Sequence, residues 1–362
     1  MFQDLQYIKT RANLIRQSYI EEMEKNLLSF EQKLTNANIC SVWVQDEDEL
    51  VSSILKSFKK PSNNKICLDL KQIPKSFLEK KPIFKSVSVS EFSKFNDFAE
   101  HLVIEANFGI VENGSLILID KPSKSCFNRV ENLHIILDIN NLIIKQNDLE
   151  PLLFLHNGTE GNYSFPKDIK ILNGEISQIY SSQTYSSDTK FETRKVKTTV
   201  YFYDNGISTI LADPILRESL YCIDCGRCQE VCPVFKQTQK YSPIDLVINN
   251  CFEENRRTTQ IYENTTLCGN CNEVCPVLIP LTDLMIYEMQ TIKNKHSREK
   301  NIDLFKYFSK RVKMNKLNGW FSKYFFIKKQ FKKNKKFANY VKQQKLPFFN
   351  ITYSNKNTNL ND

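Results

Sequence analysis

The sequence predicts an α/β N-terminal domain, then a mainly helical domain dense in cysteine, then a basic helical tail. Three observations carry this division: short apolar segments separated by turn signals up to Asp213, seven of the eleven cysteines packed into two runs between Cys222 and Cys275, and lysines crowded after Lys293. The boundaries read as 1–213, 214–292 and 293–362. With 362 residues, 41% of them apolar, the chain is long enough for two domains and at least one sizeable core.

Leu5 to about Leu34 mixes apolar and charged residues without internal Pro or Gly, and reads as one or two helices. Strand candidates follow at Ile39–Val44, Ile66–Leu70, Ser115–Ile119, His134–Ile139 and Thr198–Tyr203, interleaved with helical candidates at Asp48–Phe58 and Glu91–Glu105. Lys60-Pro61 and the Asn-Gly pairs at 113–114, 157–158, 173–174 and 205–206 mark the reversals. Ser181–Thr193 is polar and Ser-rich and reads as a surface loop. After Asp213-Pro214, the stretch Ile215–Leu220 is expected to be helical and to deliver the chain to Cys222. Pro280 is well placed to start a further helix running to Lys293.

The first cysteine run, Cys222-Ile-Asp-Cys225-Gly-Arg-Cys228-Gln-Glu-Val-Cys232-Pro, has the C-x2-C-x2-C-x3-C-P spacing that holds iron–sulfur cubanes. The second, Cys268-Gly-Asn-Cys271-Asn-Glu-Val-Cys275-Pro, repeats it with one cysteine missing. Two-residue spacers let a tight loop turn three thiolates to one centre, and the fourth must come from elsewhere. In two-cluster ferredoxins the cysteine before proline ligates the other cluster. On that rule Cys222, Cys225, Cys228 and Cys275 hold a first [4Fe-4S] cluster, and Cys232, Cys268 and Cys271 belong to a second. Gly226 and Gly269 are expected because backbone must pass close to the sulfides. Zinc also uses C-x2-C pairs, yet has no reason to prefer three cysteines followed by a fourth before proline.

Thr265 stands where the second run should have its first cysteine. Three readings remain open: a cubane with three thiolates and an unusual ligand or open iron, recruitment of Cys251, or a three-iron cluster. Cys40 and Cys67 fall in strand candidates and read as small buried hydrophobes. Cys126 lies in a polar turn without an evident partner. In the α/β domain, Asn107, Glu112, Gly114 and Ser115 are candidate pocket residues, although Asn113-Gly114 also suits a turn before a strand. His134, at the start of a strand candidate, reads as packed or capping. The chain has no dinucleotide or phosphate-loop fingerprint and no triad, and no catalytic residue can be assigned.

Several segments resemble the iron–sulfur subunit of the bacterial lactate-utilisation system, in which a lactate-utilisation α/β domain is fused to a two-cluster ferredoxin-type domain. They are Tyr203-Asp-Asn-Gly206 with Leu211-Ala-Asp-Pro214 and Arg217-Glu-Ser-Leu220 leading into Cys222-Ile-Asp-Cys-Gly226, Leu267-Cys-Gly-Asn-Cys-Asn-Glu-Val-Cys-Pro-Val277, and Ala106-Asn-Phe-Gly-Ile-Val-Glu-Asn-Gly-Ser-Leu116. The absent cysteine is shared with that family. The resemblance implies a two-cluster electron-transfer protein working with a cysteine-rich iron–sulfur partner and a small lactate-utilisation-domain subunit in the oxidation of lactate to pyruvate. Before Glu91 the chain is shorter than the family, and Asp120–Cys126 replaces its threonine-rich loop.

The formal charge is +9, and Lys293–Lys345 holds eighteen Lys or Arg against Glu299 and Asp303 alone. Aromatic residues such as Trp320, Phe321 and Tyr324 lie among those lysines. The tail therefore suits packing on the cluster domain, an anionic membrane surface or an acidic partner, and nucleic acid least. No apolar stretch reaches 18 residues and no leader pattern opens the chain, so the expected location is the cytoplasm, with the inner face of the membrane as a peripheral site. Two functional classes follow: an electron-transfer subunit of an oxidoreductase, or a non-catalytic assembly or redox-sensing subunit whose clusters are structural.

Overall fold

The computed structural model describes residues 5–57, 65–70, 85–88, 99–119, 127, 130–159, 162–174, 177–182, 190–248, 261 and 263–296. Met1–Lys293 forms one compact unit, and Asn294–Asp362 a second that lies almost wholly outside the described residues, as does the expected tail helix.

Two helices open the chain, α1 (Leu5–Glu21) and α2 (Met23–Asn36). They bury Ile8, Ala12, Ile15, Tyr19, Met23, Leu27, Phe30 and Leu34, the three-and-four spacing of a helix lying on a core. Strand β1 (Cys40–Val44) follows, then α3 (Glu47–Leu55). Asp46 caps α3 by accepting the Glu49 N–H at 2.8 Å, while Glu49 accepts the Gln45 N–H at 3.0 Å.

Six parallel strands form the main sheet: β1, β2 (Lys65–Asp69), β3 (Lys85–Ser88), β4 (Ala99–Glu105), β7 (Val130–Asp138) and β14 (Lys197–Tyr203), in the order β1-β14-β7-β4-β2-β3. A second sheet, β11-β6-β5-β8, joins β5 (Phe108–Ile110), β6 (Ser115–Ile119), β8 (Leu142–Ile143) and β11 (Ile169–Leu172). Between them come α4 (Leu149–His156), a hairpin of β9 (Gly158–Thr159) and β10 (Asn162–Tyr163), and the ribbon of β12 (Ser177–Ser182) and β13 (Lys190–Lys195).

One face of the main sheet shares a continuous apolar core with α1, α2 and the cysteine segment, from Ile8 through Leu137 and Leu220 to Val277 and Leu284. The smaller core on the other face gathers Leu50, Val51 and Ile54 of α3 against Val103, Ile136 and Tyr201. On that face His101 Nδ1 meets His134 Nε2 at 3.0 Å, and His134 Nδ1 meets the Tyr201 hydroxyl at 3.0 Å.

Four expectations are corrected. Residues 99–105, expected at the end of a helix, are the β4 strand, because a continuous Leu-Val-Ile run suits a strand flanked on both sides by parallel neighbours. Residues 91–98 lie outside the described residues. The segment read as a loop at 181–193 carries the facing ends of β12 and β13, whose Ser-, Thr- and Gln-rich sequence lacks the apolar alternation by which a half-buried strand is recognised. Cys40 is exposed, since β1 is an edge strand and Cys40 its first residue. His134 lies inside β7, which begins at Val130 and not at His134, although the packed role expected of it holds, in the buried chain from His101 to Tyr201.

From residue 207 the described elements are helices, all short but the last: α5 (Ile207–Leu211), a 3-10 helix (Leu216–Tyr221), α6 (Arg227–Val231), α7 (Pro233–Thr238), α8 (Asp245–Ile248), α9 (Asn270–Val274) and α10 (Leu281–His296). Among the described residues no helix is long and apolar enough to cross a membrane.

Candidate metal centre

The first cysteine loop begins at the carboxyl ends of the parallel strands, the side on which open α/β sheets place ligands. Asn140, two residues beyond β7, donates Nδ2 to the Leu220 carbonyl at 3.4 Å, and the 3-10 helix hands the chain to Cys222. Asp224 and Gly226 then take left-handed φ values of 54° and 74°, which fold Cys222, Cys225 and Cys228 around one turn. Helix α6 ends at Cys232, whose Sγ accepts the Phe235 N–H at 3.4 Å and so caps α7, with Pro233 in its first position.

The second loop repeats this backbone. Leu267 and Gly269 have φ of 53° and 84°, and α9 ends at Cys275 as α6 ends at Cys232. The hydrogen bonding repeats too: the Asp224 N–H donates to Cys222 Sγ at 3.4 Å, and the Leu267 N–H donates to Thr265 Oγ1 at 3.0 Å. Thr265 thus occupies the place that Cys222 holds in the first loop. A Cβ on Gly226 would meet nothing nearer than Gln229 Oε1 at 3.9 Å, and one on Gly269 nothing within 4 Å. Within the protein itself, left-handed backbone is what these glycines answer to.

Cys222, Cys225, Cys228 and Cys275 line one cleft of about 420 Å³, its open mouth included, with Ile223, Ile244, Val277 and Leu281 completing an apolar wall. The residues of both runs meet because α6 packs on α9. Burial pushes the Cys222 and Cys228 thiols far up, the Cys225 thiol to about 11, and Cys275 upward as well. The neighbouring thiols and Asp224 add to the rise at Cys222, and the Asp224 N–H opposes it. Four soft donors around an apolar cavity, Cys275 buried and the other three half-buried, supplied with N–H groups aimed at sulfur, fit an iron–sulfur cluster, whose binding displaces the thiol protons. Among the described residues no three His, Cys, Asp or Glu side chains close on one point as a single metal ion requires. The thiols ring a space instead.

Cys232, Cys268 and Cys271 are set apart from that cleft. Cys232 and Cys271 are buried and Cys268 is exposed. Hydrogen bonds from Thr266 and the Asn270 N–H lower the Cys268 thiol, whereas burial raises Cys271 against a hydrogen bond with Thr282, 3.7 Å away. Cys271 is also raised by the charges of Cys268 and Cys232. Cys251 and Cys126 lie outside the described residues, as does the side chain of Cys67.

The candidate pocket residues of the α/β domain do not line the cleft. Asn107 Oδ1 accepts the Ile119 N–H at 2.8 Å, Glu112 accepts the Gln146 N–H at 2.9 Å, Gly114 supplies a φ of 75° in the turn, and buried Ser115 bonds Asn113. Their polar groups are engaged in tying turns and neighbouring segments of the second sheet together.

Residues 218–279 match the family model of the 4Fe-4S dicluster domain. This dicluster segment spans all seven clustered cysteines and both loops. No curated protein matches the chain. Among solved structures, a DUF162 family protein from Deinococcus radiodurans is similar at 14% identity and a TM-score of 0.33, over 50% of this chain and 98% of that one.

Sequence reasoning passed over α1. Its Asn13 donates Nδ2 to the Val277 carbonyl at 2.7 Å, and Arg16 reaches the Cys222 carbonyl at 3.3 Å, so one N-terminal helix holds both cysteine loops. Only their i, i+3 spacing on one helix face was visible in advance.

Proposed function

We propose that the chain is an iron–sulfur electron-transfer subunit of a complex that oxidises lactate or a related 2-hydroxy acid to the 2-oxo acid, pyruvate for lactate. The observation that carries the electron-transfer reading is the gathering of four thiols, from two runs about fifty residues apart in sequence, around one apolar cleft inside the segment that matches a dicluster domain. When bound, each iron–sulfur cluster supplies a one-electron carrier. Cys222, Cys225, Cys228 and Cys275 would hold the first. Cys232, Cys268 and Cys271 would hold the second, whose fourth position falls at Thr265 or is filled by Cys251.

The substrate class is supported by the motif resemblance at 106–116, 203–226 and 267–277. That resemblance also supplies the partners, a cysteine-rich iron–sulfur subunit and a small lactate-utilisation-domain subunit, so the chain is a component and not a complete enzyme. A cytoplasmic location with peripheral attachment through the basic tail completes the proposal.

The test is anaerobic purification with iron and sulfide analysis, followed by EPR before and after adding lactate together with both partners. The expected result is about eight irons per chain, or about seven if the second centre has three, and clusters that lactate reduces only with the partners present. Colourless, sulfide-free protein carrying stoichiometric zinc would refute cluster binding. Reducible clusters that ignore every 2-hydroxy acid would refute the substrate alone.

A further inference from the structure

Helix α1 buries two cations near the thiols of the first cluster site, Arg16 beside Cys222 and Lys9 beside Cys275. Arg16 is 0% exposed and spends its donors on five carbonyls: Nε on Tyr221 at 3.1 Å, Nη1 on Leu142 at 3.2 Å, and Nη2 on Asn140, Leu220 and Cys222 at 2.6, 3.0 and 3.3 Å. Lys9, two turns earlier on the same helix, is 7% exposed. Among the described residues neither pairs with a carboxylate. Carbonyls satisfy the hydrogen bonds of a guanidinium but bring no opposite charge, and an interior keeps an uncompensated cation only where a negative charge lies close.

We propose that Arg16, assisted by Lys9, is the built-in counter-charge of the first cluster site and makes that site the more easily reduced of the two. The inference rests on the proposed electron-transfer function. A cluster held by four thiolates is a net anion and gains a further negative charge on reduction, so a fixed buried cation favours the reduced form.

The surroundings of the thiols agree. Burial lowers the Arg16 guanidinium to about 10, while Tyr19 first and Cys222 second pull it back up, so it stays charged at neutral pH. The charge of Lys9 opposes the rise at Cys275, and that of Arg227 the rise at Cys225. Arg227 is 2% exposed and lies 4.1 Å over the Tyr163 ring. The carboxyls on the same side are Asp224, which is exposed and therefore screened by solvent, Asp245, which accepts the Ser242 N–H at 2.9 Å, and Asp138, beside Asp224, which burial raises to about 7. At the second loop the charge beside Cys268 is Glu273, and those beside Cys271 are Cys268 and Cys232.

The experiment is an EPR-monitored redox titration of the anaerobically isolated full-length protein, with the two signals assigned through Cys268→Ser. Arg16→Met should lower the first-cluster midpoint by at least a tenfold change in the one-electron equilibrium, about 59 mV, and leave the second unmoved. Arg16→Lys should stay near the parent midpoint while melting earlier, because it keeps the charge and loses the fork. Lys9→Met should shift the first midpoint in the same direction by less. An unmoved midpoint in Arg16→Met with its cluster intact, or an Arg16→Lys shift as large, would make Arg16 a structural staple and overturn the proposal. If Arg16→Met does not assemble, an unmoved Lys9→Met midpoint overturns it. Parent protein whose clusters cannot be reduced refutes the electron-transfer function itself, a result separate from either.

Discussion

Cys222 and Thr265 occupy the same position in two loops whose backbones repeat, with left-handed residues at 224 and 226 in one and at 267 and 269 in the other. Around that shared frame the settings diverge. The first loop is sunk against α1 and the sheet, its thiols raised by burial, with Arg16 and Arg227 beside it and Lys9 beside Cys275, which reaches the same cleft from the other run. In the second, Cys268 is exposed and its thiol lowered by hydrogen bonds. Loop geometry fixes where ligands stand, and the packed environment decides how a site so formed behaves.

Substitutions of equivalent ligands should separate the loops most strongly. Cys225→Ser is expected to abolish the first cluster and lower the apparent Tm by about 10 °C, because metal binding there is coupled to the main core. Cys268→Ser should remove only the second cluster and change the apparent Tm by no more than about 3 °C. Equal losses, read by EPR and thermal melts, would break the contrast.

Restoring the missing thiol comes next. Thr265→Cys should change the second cluster's EPR signature, leave the first untouched and alter stability by less than about 1 kcal/mol, since the Oγ1 it replaces already accepts the N–H that Sγ would accept. An unaltered second spectrum would mean that Thr265 does not stand at a ligand position.

The sheet supplies an acid control common to both loops. Burial holds His101 at about 4 and His134 at about 3, below the ordinary histidine value. Folded-state values that are depressed give stability that is present above about pH 6.5 and lost as pH falls through about 4. Circular dichroism from pH 7 to 3.5 should show this loss equally in the parent and in Cys268→Ser, and His134→Gln should flatten it. Acid unfolding that tracks the loss of the second cluster would contradict the sheet as its origin.

The smallest effect tests the shared frame. Gly226→Ala and Gly269→Ala should each cost about 1–2 kcal/mol for a left-handed non-glycine residue, with no steric addition in either loop. Unequal costs in chemical denaturation would show that the backbones are not equivalent.

The cysteine loops could be read in the sequence because ligand spacing is a local property, written within a dozen residues. The clamp from α1 could not, since Arg16 is one charged residue in a mixed helix and the carbonyls it serves lie 124 to 206 positions away. The β4 strand was hidden for a related reason: an apolar run at the end of a helix-like segment is separated from a buried parallel strand only by its neighbours β2 and β7. The β12–β13 ribbon has no apolar face to announce it. Exposure of Cys40 followed from strand order, which periodicity does not encode.

The central claim is that Cys275 closes the cluster of the other run. EPR of anaerobically purified Cys275→Ser tests it most directly. The account predicts loss of the signal that Cys225→Ser also removes, with the signal lost in Cys268→Ser intact. Loss of the Cys268-dependent signal, with the Cys225-dependent one preserved, would contradict it.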